Sequence, residues 1–160
     1  MDFQITPIGK QYDAIVGDII KAVGAEHGAI GEGFGPSDLE VTCMSEHYHD
    51  CDNSLYLVAL IDGKVVGGCG IAQFADDEKV CELRKLFLLP ESRGLGLGKT
   101  LTESCLTYAK SQGYLQCYLD TLSNMQPAIR LYEGLGFKHL TQPLAETEHS
   151  GCDVWMLKAL

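Results

Sequence analysis

The chain has 160 residues, 46% of them hydrophobic and 21% charged, a composition that suits one ordinary globular domain (1–160) and not a disordered chain. Twenty-two acidic residues against 12 Lys and Arg give a formal net charge of -10 at pH 7. That balance argues against nucleic acid as a partner, which needs a basic surface to displace phosphate counterions, and against an anionic membrane surface.

No apolar run approaches the ~18 residues a bilayer-spanning helix needs. Met1-Asp2-Phe3-Gln4 has neither the basic nor the apolar region of a signal peptide, so the expectation is a soluble, cytoplasmic protein.

Taken in chain order, residues 3–8 alternate apolar and polar and predict a short strand. Tyr12, Ile15, Val16, Ile19, Ile20 and Val23 then recur at helical spacing. Residues 24–36 are rich in glycine and end in Pro36, which predicts a break into a loop. Asp38 to His47 reads as a second short helix with a weak start signal. Leu55–Leu60 is a strand, Asp62-Gly63 a type I′ hairpin turn, and Val65–Phe74 the return strand. Val80–Leu89 makes a further strand, stopped by Pro90.

A glycine-rich turn over 93–98 opens a helix reaching Ser111, with Leu97, Leu101, Cys105, Tyr108 and Ala109 on one face. Tyr114–Asp120 is a strand. Pro127 sits in the first turn of a helix that buries Ala128, Ile129, Leu131, Tyr132 and Leu135. Phe137–Leu140 and Val154–Leu157 are the last strands. The order β-α-α-β-β-β-α-β-α-β-β predicts an α/β fold with a mixed sheet and helices on its faces.

Seven cysteines without any CxxC read as reduced, mostly buried small hydrophobes. The cluster Glu46-His47-Tyr48-His49-Asp50-Cys51-Asp52 holds candidate metal ligands, but no second cluster completes a closed site, so no metal is expected.

The strongest chemical signal is Arg93-Gly94-Leu95-Gly96-Leu97-Gly98-Lys99-Thr100 between a strand and a helix. Glycines there let backbone N–H groups approach an anion, and the helix N-terminus adds its positive dipole end. A Walker A loop needs glycine where Arg93 stands, and a dinucleotide fingerprint needs G-x-G-x-x-G, whereas here the spacing is G-x-G-x-G. The remaining pattern is Arg-x-x-Gly-x-Gly, matched by Arg93, Gly96 and Gly98.

With that loop, the strand Cys81–Pro90, Leu119-Asp120-Thr121 and Ala128-Ile129-Arg130-Leu131-Tyr132-Glu133-Gly134-Leu135-Gly136-Phe137, the chain resembles the GNAT superfamily of acyl-CoA N-acyltransferases over roughly 80–141. The resemblance implies the GNAT fold and acetyl-CoA as cosubstrate. It also implies direct transfer of the acetyl group to the amine of a small molecule or peptide; homodimers are common in such domains.

The same resemblance places backbone groups of Leu86, Phe87 and Leu88 against the pantetheine amides. It puts backbone N–H groups from Arg93, Gly94, Leu95, Gly96, Leu97, Gly98 and Lys99 on the pyrophosphate, and a free N–H near Leu88 on the thioester carbonyl. Arg84 and Lys85 join Arg93 and Lys99 in a basic group suited to a polyanionic cofactor.

Tyr132 looks like the family's general acid, since a phenol at about 10 lies near enough to a thiol at about 8.5 for proton donation. Glu82 stands where some family members place a general base, and it equally suits a salt bridge with Arg84. Asn124 stands four residues before Ala128, not the three usual in the family, and suits either a helix cap or a cofactor contact. Cys117 is an alternative acyl carrier, although the superfamily transfers directly. Glu26, His27, Glu32, Tyr48 and His49 are polar candidates for the acceptor pocket. Two other classes of function remain: a non-catalytic acyl-CoA-binding sensor, and a nucleotide-binding protein using Gly98-Lys99-Thr100.

Overall fold

The computed structural model describes residues 3–29, 31, 36, 38–144 and 151–160. Along β2 (Leu55–Ile61) the side chains alternate between two cores, as the pleat of a strand requires. Leu57 and Ala59 enter one; Tyr56, Val58 and Leu60 enter the other. Both faces of the central strands are therefore covered.

The seven strands form one sheet in the order β1-β2-β3-β4-β5-β7-β6. They are β1 (Phe3–Pro7), β2, β3 (Lys64–Phe74), β4 (Asp77–Leu88), β5 (Gln116–Thr121), β6 (Lys138–His139) and β7 (Val154–Ala159). All neighbours run antiparallel except β4 and β5, which are parallel. Helix α2 (Leu97–Ser111) makes the crossover that parallel strands demand, and α3 (Gln126–Gly134) follows β5.

Helix α1 (Asp13–Glu26) packs Val16, Ile19, Ile20 and Val23 on one face of the sheet. On the other face α2 supplies Leu97, Leu101, Cys105 and Ala109, and α3 supplies Tyr132. The Asp62-Gly63 turn has φ of 49° and 80°, the two positive values that the sequence signal predicted.

Several strand ends shift by one to three residues, as at β4 (Asp77 in place of Val80) and β5 (Gln116 in place of Tyr114), and two differences from the sequence reading are larger. Helix α1 continues through Gly24 to Glu26; Gly24 does not stop the helix but makes room for Pro36, which a side chain there would meet. The stretch from Asp38 to His47 is not an α-helix but two 3-10 turns, 39–42 and 44–46. Asp38 and Glu40 reach to Lys85 and Asp13 accepts the Ser45 N–H at 2.8 Å, contacts that hold tight turns in place of a continuous helix. Among the described residues, no helix is long and apolar enough to cross a membrane.

Candidate active site

The sheet opens between its two parallel strands. β4 and β5 pair only at Val80–Gln116, Cys81–Cys117 and Glu82–Tyr118. Beyond them Leu119, Asp120 and Thr121 pair only with β7, leaving the β5-facing edge of β4 open from Leu83 to Leu88.

A bulge re-aims that open edge. Gly70 pairs with Arg84 and Gly68 with Phe87, so Lys85 and Leu86 together oppose Cys69. Lys85 takes the left-handed conformation, φ 52°, which is uncommon for a residue with a side chain. Leu115 N–H donates to Lys79 O before the bulge, whereas Leu89 N–H donates to Val66 on β3 after it. By alternation, odd-numbered residues face β5 before the bulge, and Leu86 and Leu88 face the gap after it.

Two cavities occupy the gap. The larger, about 420 Å³, is lined by Leu86, Phe87 and Leu88 of β4, Arg93, Gly94 and Gly98 of the glycine loop, and Pro127, Ala128 and Leu131 of α3. The smaller, about 80 Å³, is lined by Glu82, Arg84, Lys85, Asp120, Tyr132 and Cys152 among others. Leu86, Phe87 and Met125 belong to both.

The glycine loop ends at the N-terminus of α2. Gly94 and Gly96 have φ of 80° and 81°, and Gly96 is the residue before the first helical one. No side chain caps this helix, so the N–H groups of its first turn, from Leu97 through Lys99, stay available to an anion. Leu95 and Lys99 point to solvent, while Leu97 is buried and anchors the helix in the core.

The Arg93 side chain does two things. It donates from Nε and Nη2 to the Leu88 carbonyl at 3.1 and 2.9 Å, and it pairs with Glu26 at 2.7 Å. The Asn124 amide donates to the His27 carbonyl at 2.8 Å, joining the start of α3 to the end of α1, and does not cap α3.

Tyr132 is buried, its ring edge-on to Phe137 at 5.8 Å, and its hydroxyl has no hydrogen-bond partner among the described residues. Burial, with a lesser contribution from Cys69 and Cys117, pushes its pKa well above the ordinary phenol value. It stays protonated, but the near match to a thiol expected from the sequence is widened and donation to a thiolate becomes uphill.

Glu82 lies on the opposite side of the sheet and accepts from Arg84 Nε at 2.8 Å, so the salt bridge weighed from sequence is present and still lines the small cavity. Burial opposes the charge on Arg84, but Glu82 and Glu40 outweigh it and hold the guanidinium above its ordinary value.

The basic group expected around the loop is divided. Lys85 Nζ pairs with Asp38 at 2.8 Å and Glu40 at 2.9 Å on the α1 side, leaving Arg93 and Lys99 at the loop. Sequence reasoning missed this pairing, for which nothing in the spacing of Asp38, Glu40 and Lys85 is a signal.

Of the acceptor-pocket candidates, Tyr48 lies buried beside Glu40 and Arg84, His27 lines the larger cleft, and Glu26 reaches it only through its pairing with Arg93. His49 is exposed with its ring at Glu46 O, 2.8 Å, and Glu32 lies outside the described residues. Cys117 is fully buried with its thiol pushed well up by burial, which denies it the thiolate an acyl carrier needs. Among the described residues, no three His, Cys, Asp or Glu side chains gather to hold a metal ion.

Known proteins share the family and the fold. Residues 30–137 match the family model described as acetyltransferase (GNAT) family. The uncharacterized N-acetyltransferase YjgM of Escherichia coli (strain K12) is 36% identical over 152 residues, 94% of this chain and 90% of that protein. A crystal structure of a GNAT-family acetyltransferase from Staphylococcus aureus Mu50 superposes with a TM-score of 0.82 at 18% identity, covering 99% of both chains. The PaiA N-acetyltransferase of Thermoplasma acidophilum, solved in complex with coenzyme A, superposes at 0.79 with 20% identity over the whole of both chains. With its family match spanning most of the chain, this protein belongs to the GNAT acetyltransferase family.

Proposed function

We propose that the protein moves the acetyl group of acetyl-CoA directly to a primary amine. The observation that carries this reading is the continuous open edge of β4, which runs from the uncapped N-terminus of α2 to the cavity holding Tyr132 and Glu82. A long, partly apolar cosubstrate ending in phosphates fits that run. The larger cleft takes the pantetheine between β4 and α3, and the helix N-terminus takes the pyrophosphate.

In this reading the amine nitrogen attacks the thioester carbon and the C–S bond breaks. The developing oxyanion is met by a backbone N–H of β4, whose donor is fixed before the reaction. An acceptor that arrives as an ammonium first gives a proton through water to Glu82. After attack the nitrogen gives up its second proton to water, and the leaving sulfur takes one from the Tyr132 hydroxyl, which is reprotonated from solvent. Acids predominate on the acceptor side: Glu82 and Asp120 line the small cavity, and Asp38 and Glu40 stand behind Arg84 and Lys85. That field favours an acceptor arriving as an ammonium, whether a small molecule or a peptide amine.

The test is thermal unfolding with acetyl-CoA, CoA, ATP-Mg²⁺ and NAD, followed by thiol release with a panel of amines. A ligand at 100 times its dissociation constant adds about 2.7 kcal/mol, a shift of several degrees for a domain of this size. Stabilisation by acetyl-CoA and CoA with amine-dependent thiol release is the expected result. Stabilisation by ATP-Mg²⁺ without CoA overturns the proposal.

A further inference from the structure

The bulge in β4 is held from outside the strand, by contacts that neither family membership nor the glycine motif assigns. The Tyr56 hydroxyl, on β2, donates to the Lys85 carbonyl at 2.8 Å. Tyr56 is 1% exposed and belongs to the α1-side core, so the carbonyl it holds points out of the sheet toward α1. The Lys85 ammonium is anchored on the same side by Asp38 and Glu40, and its side chain is 2% exposed.

A trans peptide aims its C=O and the next N–H in opposite directions. No described peptide is cis, so fixing the Lys85 carbonyl toward α1 fixes the Leu86 N–H toward the α2–α3 side. Tyr132 stands on that side, and Leu86 lines both the small cavity and the larger cleft. The next outward donor on the strand, Leu88, lines the larger cleft alone, and its carbonyl is engaged by Arg93.

We infer that Tyr56 and Lys85 are positioning residues for the transfer: together they lock the peptide between Lys85 and Leu86 so that the Leu86 N–H meets the thioester oxygen. This rests on the acetyl-transfer reading above. Lys85 stands at positive φ, a strained conformation for a residue with a side chain, and a strained bulge persists only where its surroundings over-determine it. The hydroxyl of Tyr56 and the carboxylates of Asp38 and Glu40 are those surroundings. The donor is then in place before the carbonyl charge develops, which is where a preorganised N–H acts most strongly.

The experiment compares wild type with Tyr56→Phe, which keeps the ring and removes the hydroxyl. Removing an oxyanion donor outright costs about 10²–10³ in kcat, so loosening its orientation is expected to lower kcat by about tenfold or more. KM for acetyl-CoA is expected to stay within about twofold, because Phe87, Leu88 and the N-terminus of α2 still receive pantetheine and pyrophosphate, and this split is one that general destabilisation does not produce.

The second readout is the carbonyl stretch of bound [1-¹³C]acetyl-CoA, expected at lower frequency than in solution for wild type and closer to the solution value in Tyr56→Phe. Unchanged kcat in a folded Tyr56→Phe, or a wild-type carbonyl stretch equal to that of free acetyl-CoA, overturns the inference while leaving acetyl transfer intact. A wild type that neither binds acetyl-CoA nor releases thiol overturns both. Should Tyr56→Phe fail to fold, the wild-type stretch alone decides.

Discussion

Arg93 and Glu26 form a two-pronged ion pair, 2.7 and 2.9 Å, that joins the glycine loop to the last turn of α1. The hydrogen bonds from Arg93 hold Glu26 below its ordinary carboxyl value, so it is anionic throughout the neutral range. A fixed negative charge therefore stands beside the N–H groups proposed to receive the pyrophosphate. Glu26→Gln is expected to tighten acetyl-CoA binding by about threefold in dilute buffer, the scale of a surface charge effect. The gain is expected to vanish near 1 M salt, where the screening length is ~3 Å. Calorimetric titration at two salt concentrations checks it; equal affinities at low salt would remove Glu26 from any role at the cofactor.

Tyr132→Phe separates a transferase from a sensor. The lost hydroxyl has no partner among the described residues, and the ring contact with Phe137 survives, so the fold and CoA binding are expected to be unchanged. Loss of a positioned proton donor typically costs about 10²–10⁴ in rate, and kcat is expected to fall within that range. Because burial keeps the phenol protonated, no alkaline loss of activity below about pH 10 is expected to trace to Tyr132. Steady-state rates of wild type and variant from pH 6 to 10 test both points.

Glu82 is expected to move the acid side of the same profile. Glu82→Gln keeps the shape of the side chain beside Arg84 Nε while removing the proton acceptor. With Glu82 as base, kcat falls by at least about tenfold and the rise of rate with pH flattens. If it serves Arg84 alone, the variant loses stability in urea and keeps the wild-type profile.

The parts of this molecule legible in its sequence are those governed by local rules. Asp62-Gly63 announces its hairpin because both residues must take positive φ, and they do. Arg93 to Gly98 and the Ala128–Phe137 run announce themselves through turn chemistry and helical period, and residues of both line one cleft. The bulge at Lys85 was illegible because a lysine at positive φ is held by a hydroxyl 29 residues away and two carboxylates more than 40 away. The same carboxylates, Asp38 and Glu40, explain the misread helix at 38–47: in sequence they look like helix-surface charges, yet they are spent on Lys85.

That pairing makes acid stability a measurable property. Burial works against the charge of Glu40, but Lys85, with help from Tyr48 and Arg84, outweighs it and holds the carboxyl below the ordinary value. A carboxyl depressed in the folded state contributes stability that is complete above its unfolded value, about 4.3, and is lost as pH falls through the folded value. Urea midpoints are therefore expected to be level near neutrality and to fall below about pH 4.3. At the other end, burial raises Tyr48, Tyr56 and Tyr132, so stability is expected to fall again as pH rises past about 10. Glu40→Gln should flatten the acid fall and leave the alkaline one; an acid fall of wild-type size in that variant would place its origin elsewhere.

The glycines of the loop are expected to divide under substitution. Gly96 sits at φ 81° with nothing within 4 Å of where a Cβ would stand, so Gly96→Ala costs backbone strain and not a clash, about 1 kcal/mol. Gly98 lies inside α2 with ordinary φ, and its Cβ would meet only Leu88 and Leu131 side chains at 3.4 and 3.5 Å. Alanine there gains about 1 kcal/mol of helix propensity, so Gly98→Ala is expected to be neutral or stabilising in the absence of ligand. Its methyl, however, would enter the wall of the larger cleft, which Gly98 lines together with those two leucines. The two variants should thus separate fold from function: Gly96→Ala lowers the urea midpoint, and Gly98→Ala preserves it while weakening the stabilisation that acetyl-CoA confers. A Gly98→Ala protein with wild-type response to acetyl-CoA would mean that the cosubstrate does not approach α2 at this point.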